Sequence, residues 1–468
     1  MPAAQSSHLN NQWDTSKVNQ FEIQSGQALL RDEQRLALFS HDFGHLLHST
    51  PAAVYAPTQI DDLMTLISFA LENNLPLTIR GKGLSQCGQS LPVVGGLSVS
   101  MEHFTSLGEI ANNAIWVEAN ATWADILECS LQHKQAPYVL PYNCGLSVAG
   151  LLSVGGVGAS SFKYGTVSAH VEALEVINGL GNKEIVDDTS TLFHACLSGQ
   201  GLFGVITKAK IKLRPVKSHV KTFSLVYTSI DQWFEDLEYI KNKADYLELF
   251  CSPCILGATL IKNERLPLVQ WLYAMHVSME YEEQAPTAAE VIGQLKPCNI
   301  LSSHEEPIAS YMLRHQSRIN QMKSSGQWDL IHPWYECFVS TQILKEHLPQ
   351  ILKELPVHYA NLVHVVPISK QKAGFLQLPK SESFCSLMIL NPGLPVEQKD
   401  ACIHAIKRLD SFFLPLGSKR YLSGYMVDKN WVKHFGQEYG HWIKMKKKWD
   451  PKGIFNSMCY AFTTFKEP

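Results

Sequence analysis

The sequence predicts an α+β protein of two domains, and three observations carry that prediction. At 468 residues the chain is too long for one hydrophobic core. The first 215 residues hold two Gly-rich loops, one of them directly behind a strand pattern. From about Val216 to about Pro415 such loops are missing, aromatics are denser, and helical and strand periodicities alternate. The expected units are therefore 1–215 and 216–415, with 416–468 as a closing segment.

The elements of the first unit follow from periodicity. Ile60, Leu63, Met64, Ile67 and Leu71 recur at helical spacing between Pro57 and Asn73, with Thr58 as the expected cap and Asn73-Asn74 as the stop. Leu75 to Arg80 reads as a short buried strand. It runs into Gly81-Lys-Gly-Leu-Ser-Gln-Cys-Gly88, where missing side chains let the backbone approach an anion. Leu97–Met101 and Ile115–Ala119 alternate like half-buried strands, and Trp123–Gln132 reads as a helix. Gly145 to Gly158 is too rich in Gly and Ser for a helix interior and is expected to be a loop facing a ligand. Glu172–Ile177 and Gly204–Leu213 read as strands.

In the second unit the expected helices are Ile230–Lys243, Pro286–Leu295, Ile343–Leu355 and Glu397–Leu409, with Pro286 in a first turn. Ser386–Leu390 reads as a strand. The closing segment, Tyr421 to Phe465, is expected to carry one helix over Trp431–Lys448.

Composition bounds the function classes. Apolar residues are 45% and charged residues 18%, as in an ordinary globular protein. A net charge of −3 gives no basic footprint for nucleic acid, and Lys444–Lys448 reads as a solvated helix face. No stretch nears the ~18 apolar residues of a membrane span, and the first 20 residues lack the pattern of a signal peptide. A cytoplasmic protein, monomeric or dimeric, is expected. The 11 scattered cysteines read as reduced thiols rather than a disulfide framework, and Cys251-Ser-Pro-Cys254 stands without the partners a metal site needs. No metal is expected.

Neither Gly-rich loop is a dinucleotide fingerprint: Gly81-x-Gly83 lacks the third glycine and a following helix. On composition alone the loops are generic phosphate-binding candidates. Their order along the chain says more. Pro51-Ala-Ala-Val-Tyr-Ala-Pro57, Arg80 to Gln89, Leu146 to Phe162, Gly199-Gln-Gly-Leu-Phe-Gly-Val-Ile-Thr207, His332-Pro-Trp334, Tyr421-Leu-Ser-Gly-Tyr425, His434-Phe-Gly436 and Asp450-Pro-Lys452 occur in sequence. Together they resemble the PCMH-type FAD-binding fold of the vanillyl-alcohol oxidase superfamily, and within it cytokinin dehydrogenases.

That resemblance implies FAD as cofactor, an inserted α+β substrate domain over 216–415, and a return of 416–468 to the FAD-binding domain. It implies that Ile79, Gly81, Lys82, Gly83, Leu84, Ser85 and Gln89 surround the pyrophosphate and flavin. Ser147, Ser153 and Val157 would add contacts, Ile206 would meet the adenine end, and Tyr425 and Cys459 would face the flavin. Trp334 and Glu336 would touch substrate. Glu248 and Glu336 are candidate acids near the flavin, and an ion pair or surface position is the plainer reading of each.

Three residues depart from the resembled pattern. The His that links flavin covalently is Leu84, which forms no such bond, so extractable FAD is expected. The active-site Asp is Tyr142, a poor base at its ordinary pKa of about 10 unless that value is lowered. A flavin-contacting Gln is Cys459. Cys144 lies near a position where some relatives attach flavin, and a buried or substrate-facing thiol is the plainer reading.

The expected activity is hydride transfer from a small organic substrate to flavin N5, with reoxidation by O2 or another acceptor. A cytokinin-like secondary amine is one substrate class, and an alcohol or sugar is its rival. A flavin-binding protein that has lost catalysis and serves as a ligand-binding or interaction module is the alternative from another class.

Overall fold

Three sheets position everything that follows in the computed structural model, which describes residues 12–460 except Lys262. The end of the expected closing segment, beyond Tyr460, lies outside the described residues. The first sheet is small and parallel. It contains β1 (Val54–Tyr55), β2 (Leu77–Arg80) and β3 (Leu97–Ser100), in the order β1-β3-β2. All four residues of β3 are buried, not alternate ones, because it is the central strand of a covered parallel sheet. The helix Ile60–Asn73 packs on it through Leu63, Leu66, Ile67, Phe69 and Ala70. Gln59, not Thr58, caps this helix, in a capping box with Asp62, and Asn74 ends it at φ 54°.

The second sheet is antiparallel: β4 (Leu107–Ala111), β5 (Ala114–Glu118), β6 (Gln135–Pro137), β7 (Val171–Asn178), β8 (Lys183–Asp187) and β9 (Gly204–Pro215). Its order is β4-β5-β9-β7-β8, with β6 pairing on β9. The stretch expected to be wholly loop between Gly145 and Gly158 contains a five-residue helix, Val148–Leu152. Burial of Val148, Leu151 and Leu152 in the core outweighs the low helix propensity of the surrounding Gly and Ser.

The third sheet is large and antiparallel. It is built from β10 (His219–Tyr227), β11 (Tyr246–Ile261), β12 (Glu264–Tyr281), β13 (Asn299–Pro307), β14 (Tyr335–Ser340), β15 (Val363–Ile368), β16 (Phe384–Ile389) and β17 (Lys419–Arg420). The order is β13-β10-β12-β11-β15-β16-β14-β17. β11 and β12 carry Pro253 and Pro267, which in a sequence argue against strands. Both prolines are tolerated because they lie where the β11–β12 hairpin extends past β15, which pairs only with Leu249–Cys251.

Two further expectations change. Pro286 precedes its helix: Thr287 is the N-cap and the helix runs Ala288–Ile292. The single helix expected over Trp431–Lys448 is two, Trp431–Phe435 and Tyr439–Trp449, broken at Gly436 with φ 54°. The second carries the chain back to the parallel sheet, where Phe455 bridges Leu77. A buried ion pair closes that return. Lys446 Nζ donates to Asp450 Oδ2 (2.6 Å) and to the Phe455 carbonyl (2.8 Å), and Asp450 accepts from the amides of Ile454 and Phe455. Among the described residues no helix is long and apolar enough to cross a membrane, and no cluster of metal-ligating side chains is present.

Candidate active site

One long cavity runs from the parallel sheet, past the Val148–Leu152 helix, to the face of the large sheet. At its first end β2 delivers the loop Gly81–Ser85. Arg80, just before the loop, is buried and ties it down by donating to the carbonyls of His41 (3.0 Å) and Leu38 (3.1 Å). Gly83 has φ 69°, and a Cβ there would lie 2.3 Å from the Arg80 guanidinium. A Cβ on Gly81 would lie 2.4 Å from Ser147 Oγ, so the two Gly-rich segments meet at a place where only glycine fits.

The far side of the loop is fastened by Asp42. Its Oδ2 accepts from Ser85 Oγ (2.9 Å) and the Gly88 amide (2.8 Å). Burial lifts this carboxyl to about 6, against the pull of those donors and of Arg80. Among the described residues, the loop's own amides, Lys82 to Ser85, donate to no protein acceptor. A run of free N–H groups beside a lysine suits a pyrophosphate, so the residues present fit an FAD phosphate cradle.

Of the residues singled out from sequence, Ile79, Gly81, Lys82, Gly83, Leu84, Ser85, Gln89, Ser147, Ser153, Val157 and Ile206 all line this one cavity. Gln89 lines it with its amide already engaged: Nε2 donates to the Leu422 carbonyl (2.8 Å) and Oε1 accepts from the Cys87 amide (2.9 Å). Ser153 Oγ donates to the Ala149 carbonyl (2.8 Å). Tyr142, Trp334 and Glu336 line the cavity's other end.

Three of the singled-out residues do not line it. Tyr425 and Cys459 sit behind the flavin-loop wall, where Cys459 N donates to the Gly88 carbonyl (3.2 Å) and its thiol packs with Cys87. Glu248 lies behind His315, so the reading of it as an acid that meets substrate is corrected. Burial would raise its carboxyl, but Arg314 Nε (2.8 Å) and His315 Nε2 (2.7 Å) outweigh burial and hold it well below the ordinary range. Cys144 is also off the cavity. Its thiol points to the carbonyls of Pro141 and Met312, and burial pushes it up to about 11.

The floor of the inner end is the large sheet. Glu336 on β14 pairs with Met388 on β16, which pairs with His364 on β15, so all three project from one face. Among the described residues, Glu336 is the only acidic side chain lining the cavity. Burial raises its carboxyl to about 7, opposed by the Ser423 hydroxyl it accepts from and by Arg420. Arg420 does little to lower it because its Nη1 is bonded to Asp410 (2.9 Å). Tyr142 is not a latent base: burial raises its phenol well above the ordinary value, and Glu248 raises it further.

Sequence reasoning missed His315, Arg318 and His364, all of which line the cavity. His364 sits in the all-buried strand Val363–Ile368, and a polar residue in such a strand was the available signal.

A fold with a glycine-lined phosphate cradle, a second sheet and a separate substrate floor defines an FAD-dependent oxidoreductase of the PCMH type. Two family descriptions match the chain. "FAD binding domain" covers residues 51–186, and "Cytokinin dehydrogenase 1, FAD and cytokinin binding" covers residues 218–458. The chain therefore belongs to the cytokinin dehydrogenase family. It is 27% identical to cytokinin dehydrogenase 10 of Oryza sativa subsp. japonica, over 89% of this chain and 85% of that one. It is 24% identical to an uncharacterised oxidoreductase of the fasciation locus of Rhodococcoides fascians, over 90% of this chain and 96% of the relative. Cytokinin dehydrogenase 3 of Arabidopsis thaliana is also 24% identical, over 89% and 86%.

Proposed function

We propose that this oxidoreductase acts on a neutral substrate at a carbon bearing nitrogen or oxygen, with Glu336 receiving the heteroatom's proton. The observation that carries this reading is that Glu336 is, among the described residues, the one carboxyl facing the cavity and is raised to about 7. A base with that value is half ionised near neutral pH, where proton transfer is most effective. Bound flavin supplies the hydride acceptance. The chain's own residues supply the rest. Glu336 Oε1, which makes no hydrogen bond among the described residues, takes the proton, while Ser423 holds Oε2. Trp334 is fixed by its Nε1 bond to the Asn391 carbonyl (2.7 Å) and forms a rigid wall.

The family's name favours a cytokinin or another planar N-heterocycle with a secondary amine. Tyr142, in place of a carboxylate, favours the rival alcohol or sugar. Leu84 can form no bond to a flavin and would pack against it, and with Cys144 turned away the flavin would be held non-covalently. Anaerobic titration of the holoenzyme with amines, alcohols and sugars tests the reading. Bleaching of the flavin by one class identifies the substrate group. An unbleached flavin across the whole panel overturns the enzyme reading and leaves a flavin-binding module.

A further inference from the structure

The flavin loop does not stop at Ser85. It runs on through Gln86 to Cys87, where the C-terminal return meets it. The Cys459 amide donates to the Gly88 carbonyl (3.2 Å), and the Met458 amide donates to the Leu91 carbonyl (2.8 Å). A Cβ on Gly88 would lie 3.3 Å from Met458 Cβ, so the two backbones run in close contact. This contact brings together two thiols from opposite ends of the chain. Cys87 and Cys459 are both buried and both free, and Cys459 donates its S–H to Cys87. Cys87 Sγ also accepts from the Met426 amide (3.4 Å) and, while protonated, points its hydrogen to the Met426 carbonyl (3.6 Å). Neither cysteine lines the cavity, although Gln86 before Cys87 and Gln89 after it do. The pair therefore stands one layer behind the cavity wall.

The two sulfurs are unequal. The hydrogen bond from Cys459, helped by Lys429, draws Cys87 below the ordinary thiol value against the effect of burial. Burial, and then the neighbouring Cys87 sulfur, holds Cys459 well above it. Cys87 is thus the better nucleophile, and Cys459 is the partner that keeps its proton.

From this arrangement we infer that Cys87 and Cys459 form a reversible disulfide site that fastens the flavin loop to the C-terminal return. The oxidant is hydrogen peroxide. The Cys87 thiolate attacks one peroxide oxygen, so an S–O bond forms and the O–O bond breaks. The departing hydroxide takes up the proton that Cys87 released and leaves as water. Cys459 then attacks the sulfenic sulfur. The S–S bond forms, the S–O bond breaks, and the hydroxyl leaves with the Cys459 proton as a second water. Two thiols give up two electrons and two protons, and one peroxide becomes two waters. Both sulfurs are buried, so the reaction waits on local opening and is slow. Once made, the bond prevents the loop from parting from the return. The site works whichever substrate the enzyme takes.

The test uses purified holoprotein treated with hydrogen peroxide. Remaining thiols are alkylated in denaturant, and the peptides are mapped by mass spectrometry without reductant. A peptide joining Cys87 to Cys459 is expected, and dithiothreitol should abolish it. The exposed Cys298 reports that oxidant was present. Flavin release on dilution is expected to be at least about fivefold slower in the cross-linked protein than in the reduced protein, because the bond removes the open states of the loop. Cys459→Ser should lose both the cross-link and the slowing. The wild-type comparison, oxidised against reduced, keeps the test valid if that variant fails to fold. Oxidation of Cys298 without a Cys87–Cys459 peptide overturns the site, and a cross-link that leaves flavin release unchanged overturns the fastening. Neither readout depends on any substrate reducing the flavin, so the substrate reading can fail while this one stands.

Discussion

The C-terminal clamp and the cavity floor both bury charge, and they do so in opposite ways. At the clamp, Lys446 and Asp450 are almost wholly inaccessible, and their charges are met by each other, by two carbonyls and by two amides. On the floor, Glu336 has one hydroxyl for company, and His364 and Tyr142 carry enclosed polar atoms with no partner among the described residues. Satisfied buried charge holds the C-terminal return against the parallel sheet. Unsatisfied buried polarity gathered on one cavity wall is what a ligand site requires.

The sharpest break of this contrast is Lys446→Met. It strands Asp450 without its counter-ion and is expected to cost about 3–5 kcal/mol in urea unfolding. Glu336→Gln should do the opposite. It removes a carboxyl that burial already disfavours, so folding is kept, while substrate-driven flavin reduction falls by about 10²–10⁴-fold. Stopped-flow reduction beside an unfolding curve separates the two effects.

A pH series sharpens the comparison further. The Glu336 carboxyl rises from an ordinary 4.5 to about 7 on folding, so its contribution to stability is complete below 4.5 and is lost as pH climbs through 7. Its action as a base follows the opposite course. Flavin reduction is expected to increase with pH through about 7 as stability declines, and Glu336→Gln should flatten that rate profile.

Smaller effects are expected at the cradle. Gly83→Ala forces a side chain into a left-handed conformation against Arg80, worth about 1–2 kcal/mol, and should lower the flavin content of purified protein. Acid precipitation of wild type should release the flavin into the supernatant. Flavin retained in the pellet would point to a covalent link that Leu84 cannot make.

The cradle was legible in the sequence because its chemistry is local. Gly81, Gly83 and Ser85 sit within five residues, directly behind the strand that presents them. The floor was only half legible. Trp334 and Glu336 stand in one short motif, but His364 reaches Glu336 only through the register of three antiparallel strands. Glu248 reads from sequence as a candidate acid or an ion-pair member, and only the fold brings it Arg314 and His315, more than 60 residues away, as partners.

The sequence by itself therefore determined the family, the cofactor and the glycines that admit it, since backbone permissiveness and ordered motifs are properties of neighbouring residues. Tertiary structure alone decided which buried polar groups are satisfied and which are left without a partner among the described residues. That depends on burial and on partners brought from distant parts of the chain, and it separates the clamp at Asp450 from the proposed base at Glu336.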